Sequence, residues 1–182
     1  MLEHNGKNYA RVSEILAPFT DFGAIPQDVL ERKAEIGTRV HEIIDDDIKG
    51  DFPIVTPDTF GYFQSYQKWR ALISPVFIES EVRYYDDTKM LTGRIDGLIK
   101  LEGEERGILI DFKTSVAESP TWIMQGHLYH HLLFSAGKPV ADRFLFIKLA
   151  KCVGVPSVFN YKFDPNRYRQ CLQAIDDFWA SR

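Results

Sequence analysis

Partway along the chain the spacing of apolar residues changes period, and that change decides the fold class. Between Thr59 and Leu72, Tyr62, Phe63, Tyr66 and Trp69 recur at helical spacing. From Phe77 to Tyr85 and from Met90 to Leu101 the chain instead alternates as paired strands do, with Asp86-Asp87 at the turn. Gly103 breaks the chain, and Gly107–Thr114 reads as a third strand, apolar except at Asp111 and Lys113. Pro120–Ala136 is predicted to be helical, stopped by Gly137 and Pro139. Asp142–Leu149 and Ser157–Phe163 read as further strands, and Pro165 opens a last helix to Arg182. Upstream, Ser13 is the expected cap of a short helix that carries Ile15 and Leu16 and ends at Pro18. A longer helix is expected over Gln27–Ile48, with Val29, Ile36, Val40, Ile43, Ile44 and Ile48 as its apolar members, and then a loop over Asp51–Asp58. This order predicts an α/β fold: a mixed central sheet flanked by helices, with a helical N-terminal segment.

No internal repeat, low-complexity tract or Gly/Ser linker divides the 182 residues, so one domain is expected, with 1–75 as a helical front end and 76–182 as the core. A composition 45% hydrophobic and 26% charged belongs to a globular chain and excludes a disordered one. No apolar run reaches the ~18 residues of a membrane span, and the polar stretch Met1–Tyr9 does not read as a signal peptide. Cys152 and Cys171 fit no metal-binding spacing and read as two buried thiols of a reduced, cytoplasmic protein. A net charge of −4 argues against gripping nucleic acid through basic charge alone. An acidic metal site escapes that objection, because the bound cations meet the phosphate.

Two polar interruptions of apolar strands carry the chemistry. In Ile108-Leu109-Ile110-Asp111-Phe112-Lys113-Thr114, strand alternation puts Asp111 and Lys113 on one side. A carboxylate beside such aliphatics is tolerated when it is paired or holds a metal, so a strand-end ion pair and a metal site both fit. In Leu91-Thr92-Gly93-Arg94-Ile95-Asp96-Gly97-Leu98 a second carboxylate lies between glycines that permit close backbone approach. If the two strands pair antiparallel, Asp96 and Asp111 share a face. Carboxylates that close repel unless a cation separates them, and hard oxygen ligands suit Mg²⁺ or Mn²⁺. A surface Asp96 near a turn is the other reading.

Gly93-x-x-Asp96, then Ile110-Asp111-Phe112-Lys113-Thr114-Ser115, then Gln125-x-x-x-Tyr129 resembles the PD-(D/E)XK nuclease superfamily. More narrowly it resembles the RecB-type exonuclease branch, which includes the CRISPR-adaptation exonucleases and the mitochondrial genome maintenance exonuclease. Gly37-Thr38-Arg39-Val40-His41 is similar to that branch's upstream histidine pattern, and Arg11-Val12-Ser13-x-Ile15-Leu16 to its opening segment. The resemblance spans about Arg11 to Leu133 and implies a restriction-endonuclease-like core. It implies one or two Mg²⁺ or Mn²⁺ ions held by Asp96, Asp111 and the backbone carbonyl of Phe112, with His41 as a further ligand in Mn²⁺-using members. It implies an acidic ligand on the first strand: Glu81, in phase with Glu79, is favoured slightly over it. Lys113 would hold the attacking water, and Gln125 and Tyr129 would orient the site. The implied activity is metal-dependent hydrolysis of DNA from its ends, with single-stranded DNA threaded into the site.

Other readings stay open. His41 also fits a satisfied core histidine, and Gln125 with Tyr129 a polar stripe on a packed helix. His127, His130 and His131 diverge around their helix, which favours surface or packing roles over a zinc site. Phe19, Phe22, Phe60, Tyr62, Phe63, Tyr66 and Trp69 would either stack bases or fill the core, and Lys33, Arg39, Lys68 and Arg70 would contact phosphate or simply face solvent. Two cysteines cannot supply the four thiolates of the iron–sulfur cluster found in several relatives, so no cluster is expected. No phosphate loop is present, so a helicase motor would have to come from a partner protein. A non-catalytic nucleic-acid-binding subunit of a recombination or repair complex and a structure-specific endonuclease are the alternatives to an exonuclease.

Overall fold

The computed structural model describes residues 1–20, 23, 25–152 and 154–182. A hairpin of β1 (Leu2–His4) and β2 (Lys7–Arg11) leads into α1 (Val12–Leu16) and a 3-10 turn (Ala17–Phe19). Then come α2 (Gln27–Lys49), α3 (Phe60–Ile73), β3 (Val76–Asp86), β4 (Leu91–Lys100) and β5 (Gly107–Lys113). α4 (Thr121–Ser135), β6 (Val140–Lys148), β7 (Ser157–Lys162) and α5 (Pro165–Ala180) complete the chain. Most elements match the periodicity reading within a residue or two. The hairpin over residues 2–11 is an addition: its strands are short and largely polar, so no alternation marks them. Ser13 is not the cap of α1. Arg11 continues β2 in an extended conformation and is itself the N-cap residue, and Glu14 Oε2 accepts its N–H at 2.8 Å.

One mixed sheet organises the molecule in the order β1-β2-β4-β5-β6-β7, with β3 paired to β4. β2 runs parallel to β4 and β5 parallel to β6, and the other pairings are antiparallel. Helices cover both faces, so β5 is buried on both sides and successive residues enter different cores. Leu109 joins the cluster packed by α1, α4 and α5, while Ile108, Ile110 and Phe112 join the one packed by α2 and α3. Tyr62, Phe63, Tyr66 and Trp69 belong to the second cluster, which settles them as core. Phe19 and Phe60 are exposed, and Phe22 lies outside the described residues. On α2, Val29 is exposed, because the helix is buried only at Val40, Ile43 and Ile44, beyond its first turns. Cys171 is buried, but Cys152, in the β6–β7 connection, is exposed, contrary to the expectation of two buried thiols.

α4 lies at the centre of the first core. It sits so close to β6 that a Cβ on Gly126 would come within 2.2 Å of the Phe144 ring, so any side chain there forces the helix off the sheet. Its three histidines are packing residues. His127 Nδ1–H donates to the Ile123 carbonyl at 2.7 Å, and Nε2 accepts the Asp164 N–H at 2.9 Å. His130 Nε2 lies 3.3 Å from the Ala141 carbonyl, and His131 joins Asp86 Oδ2 to Tyr168 Oη, 2.7 Å from each.

The β3–β4 turn receives both ends of the described chain. Lys7 Nζ lies 3.0 Å from Asp87 Oδ2, and the Ala10 N–H donates to the Met90 carbonyl at 2.8 Å. From α5, Asp176 Oδ1 pairs with Lys89 Nζ at 2.7 Å, and Trp179 Nε1–H donates to the Lys89 carbonyl at 3.1 Å. Among the described residues, no helix is long and apolar enough to cross a membrane.

Candidate active site

Two departures from regular strand geometry create the site. The first is a fork. β4 and β5 pair only over Gly97↔Ile110, Leu98↔Leu109 and Ile99↔Ile108, and further on β2 takes β5's place beside Leu91 and Thr92. Asp96 and Asp111 stand one residue past the last rung, where the strands part. There the Phe112 N–H donates to Asp96 Oδ2 at 2.6 Å, so a carboxylate replaces a ladder carbonyl.

The second departure is a break in alternation. Ile95 and Leu98, three residues apart, enter the same core, so β4 changes phase across Asp96. Its partner β3 does so at Glu81, whose φ of +53° is left-handed and costs a non-glycine residue on the order of 1 kcal/mol or more. The expectation that Glu79 and Glu81 stay in phase therefore fails. Glu79 pairs with Lys138 and the Tyr84 hydroxyl, while Glu81 turns to the fork.

α2 supplies His41 above the fork. Its Nδ1 is 3.2 Å from both Glu81 Oε1 and Asp96 Oδ1, and the ligand atoms of these three residues lie within 4.8 Å of one another. Two ligands at right angles around an ion bonded at about 2.1 Å stand about 3.0 Å apart, so the spacing fits one small divalent cation. Asp111 lies outside this tight trio. Its Oδ1 accepts from Gln125 Nε2 at 3.0 Å, and Lys113 Nζ comes within 2.6 Å of Oδ2, off the direction of a hydrogen bond. Gln125 Oε1 accepts from Lys113 Nζ at 2.9 Å, and Gln125 Nε2 also reaches Tyr129 Oη at 3.2 Å. One amide thus ties Asp111, Lys113 and Tyr129 together. Gly93 makes room for this arrangement: a Cβ there would fall 2.7 Å from the Tyr129 ring.

The electrostatics are those of carboxylates crowded together away from water. Burial and then the neighbouring Asp96 charge push the Asp111 carboxyl well above its ordinary range, despite Lys113. Burial alone would raise Asp96 too, but the His41 charge and hydrogen bond, with Lys113 and the Phe112 N–H, hold it low. Burial disfavours a charged His41, yet Asp96 and Glu81 outweigh it and raise the imidazole to about 10. Burial and the nearby carboxylates raise the Tyr129 phenol. A proton on His41 occupies the place that the carboxylates prepare for a cation.

All the expected site residues meet in one cleft region: His41, Glu81, Asp96, Asp111, Lys113, Gln125 and Tyr129 line a cavity of about 350 Å³, and the Phe112 backbone borders Asp96. The basic residues for which phosphate contact and a solvent-facing role both stood open do not line it. Arg39 is tied to Asp58 at 2.7 Å and Arg70 to Asp47, while Lys33 and Lys68 lie elsewhere. The arginines in the cleft are Arg11, Arg83 and Arg94, which the sequence reading passed over. Arg83 and Arg94 become recognisable only once the turn is known to pair Asp86 with Leu91.

No family model matches the sequence, and no curated protein does. Among solved structures, the alkaline exonuclease LHK-Exo from Laribacter hongkongensis, also solved in complex with dAMP, is similar with a TM-score of 0.55 at 12% identity, over 95% of this chain and 87% of that one. The protein SSO0001 gives 0.54 at 13% identity, over 99% and 79% of the two chains. A Eubacterium rectale protein gives 0.58 at 10% identity, over 96% and 79%. At these identities the likeness is one of fold. The chain has the restriction-endonuclease-like α/β fold that its motifs implied.

Proposed function

We propose that the chain is a divalent-metal-dependent nuclease that hydrolyses DNA phosphodiester bonds from free ends. The carrying observation is the fork itself, which sets His41, Glu81 and Asp96 at the spacing of one ion beside the linked Asp111, Lys113 and Gln125. The fold shared with the exonuclease LHK-Exo supports the reading. Hard carboxylate oxygens with one imidazole suit Mn²⁺ or Mg²⁺, which His41, Glu81 and Asp96 would hold together with Asp111 and the Phe112 carbonyl. When bound, such an ion supplies Lewis acidity at the phosphate and an acidified water.

The chain's own groups do the rest. Lys113, held by Gln125 and over the Phe146 ring at 5.2 Å, offsets negative charge as it builds on the phosphate. Gln125 fixes the direction of the Asp111 carboxylate, and Tyr129 closes the wall beside Gly93. End-labelled linear DNA and covalently closed circles, each incubated with Mg²⁺, Mn²⁺ or EDTA, test the proposal. Linear DNA is expected to shorten progressively in Mg²⁺ or Mn²⁺ while circles survive. Undiminished cleavage in EDTA would refute the metal site, and rapid nicking of circles would make the enzyme an endonuclease.

A further inference from the structure

Three arginines line the cleft on three neighbouring strands, outside the cluster that surrounds Asp96. Arg11 on β2 is the register partner of Thr92 on β4, and Arg94, two residues on from Thr92, is the partner of Arg83 on β3. Like charges directly opposite across an antiparallel pair destabilise a sheet, with their Cβ atoms about 5 Å apart. Arg94 pairs with Glu81 Oε2 at 2.8 Å, and the Arg11 charge lies close enough to Glu14 to lower its carboxyl. The Arg83 side chain makes no hydrogen bond or ion pair among the described residues, although it is half-buried. Arg143 and Lys162 on β6 and β7 are also register partners, but there Glu104 neutralises Arg143 at 2.6 Å and Lys162 is exposed to water. Glu81 answers Arg94 in the same way, so what sets the β3–β4 pair apart is Arg83, half-buried and facing a cavity in which an anion would answer its charge.

On the nuclease reading above, we propose that Arg11, Arg83 and Arg94 form an anion subsite in the cleft that holds a backbone phosphate of the nucleic-acid strand next to the scissile one. Guanidinium groups match phosphate oxygens with paired N–H donors, and three of them converging here can hold one phosphate. Arg94 has two tasks, because its Nε holds Glu81 while the rest of the guanidinium faces the cleft. Arg83 has only the phosphate to serve. The anion is either an internal phosphodiester or a terminal phosphate monoester.

Binding of single-stranded oligonucleotides ending in a hydroxyl, a 5′-phosphate or a 3′-phosphate, measured in Ca²⁺ against KCl concentration, separates these cases. Arg83→Gln is expected to weaken binding about tenfold and to flatten the slope of log affinity against log salt by about 0.7. A loss on every oligonucleotide assigns the subsite to an internal phosphodiester, and a loss confined to one phosphorylated end assigns it to that monoester. Arg83→Lys should recover part of the affinity. The melting temperature of Arg83→Gln should hold or rise, since a like-charge pair has been dissolved. Arg11→Gln, on another strand, should weaken binding independently. Lys162→Gln, which removes the same charge from the like-charged pair on β6 and β7, should change neither affinity nor slope. Unchanged binding by both Arg83→Gln and Arg11→Gln in a wild-type protein that digests DNA overturns the subsite alone, as does an equal loss in Lys162→Gln. A wild-type protein that neither binds nor digests DNA overturns the nuclease reading instead.

Discussion

His41, half-buried, and His127, fully buried, are imidazoles on helices that cover the sheet, yet their surroundings push them in opposite directions. Around His127 each ring nitrogen has one backbone partner, and burial, the largest influence, lowers its pKa. The group stays neutral, and its Nε2 lone pair fastens the start of α5 through the Asp164 N–H. Around His41 two carboxylates crowd one nitrogen, burial is overruled, and the ring is held protonated. Packing histidines come with their polar groups matched one to one. At the candidate site two carboxylates converge on one nitrogen, an arrangement that a cation in place of the proton would also satisfy. The backbone makes the same distinction: α4 is regular helix around His127, whereas the strand below His41 bends through a left-handed glutamate.

The sharpest way to break that comparison is to remove one of the two carboxylates. Asp96→Asn keeps an oxygen for the Phe112 N–H but gives up a hard ligand, so turnover should fall by about 10³-fold or more and Mn²⁺ affinity with it, read by single-turnover cleavage and calorimetry. Unaltered Mn²⁺ affinity would move the ion elsewhere. Lys113→Ala should cost about 10²-fold in rate with Mn²⁺ affinity nearly intact, because the ammonium answers charge on the phosphate and does not ligate. At the packing histidine the cost should fall on stability. His127→Leu strands the Asp164 N–H and should remove about 1–3 kcal/mol in a denaturant titration, with cleavage rate per folded molecule unchanged.

The smallest effect is in pH. His127 and His130 have folded pKa values lowered by burial, so the unfolded chain, titrating near 6.5, binds more protons below that pH. The stability they contribute is complete above about pH 6.5 and is lost as pH falls through their folded values. The wild type should therefore lose melting temperature relative to His127→Leu as pH falls from 7 to 5, while the buried Asp111 carboxyl, raised in the folded state, pulls both the other way. His41 works in the other direction: protons compete with the ion, so Mn²⁺ affinity should rise with pH.

What could be read from the sequence was whatever depends on local period. Two-residue alternation put Asp111 and Lys113 on one side of a strand, and one helical turn put Gln125 beside Tyr129, and both pairs meet in the cleft. What escaped depends on pairings between distant segments or on interruptions of the period. Lys7–Arg11 has a local partner in Leu2–His4 across the Asn5-Gly6 turn, whose two positive φ angles are what an Asn-Gly hairpin requires, but its pairing with Leu91–Thr92 lies far along the chain. Alternation kept Glu79 and Glu81 together, and only the kink at Glu81 sends them apart. Arg83 and Arg94 became neighbours through the register of a turn that starts one residue later than Asp86-Asp87 suggested.

The turn over Asp87–Met90 gives the molecule a mechanical character. Lys7 and Ala10 grip it from one side, and Asp176 and Trp179 from the other. The same hairpin, a few residues down its two arms, carries Arg83 and Glu81 on one strand and Arg94 and Asp96 on the other. The hairpin is therefore a lever with its handle at the turn and its working end in the fork. A pull on the first strands or on the last helix, whether from a fused domain, a partner or an immobilising surface, acts on the same two arms that carry Glu81 and Asp96 to the fork and Tyr84, Leu91 and Ile95 to the first core.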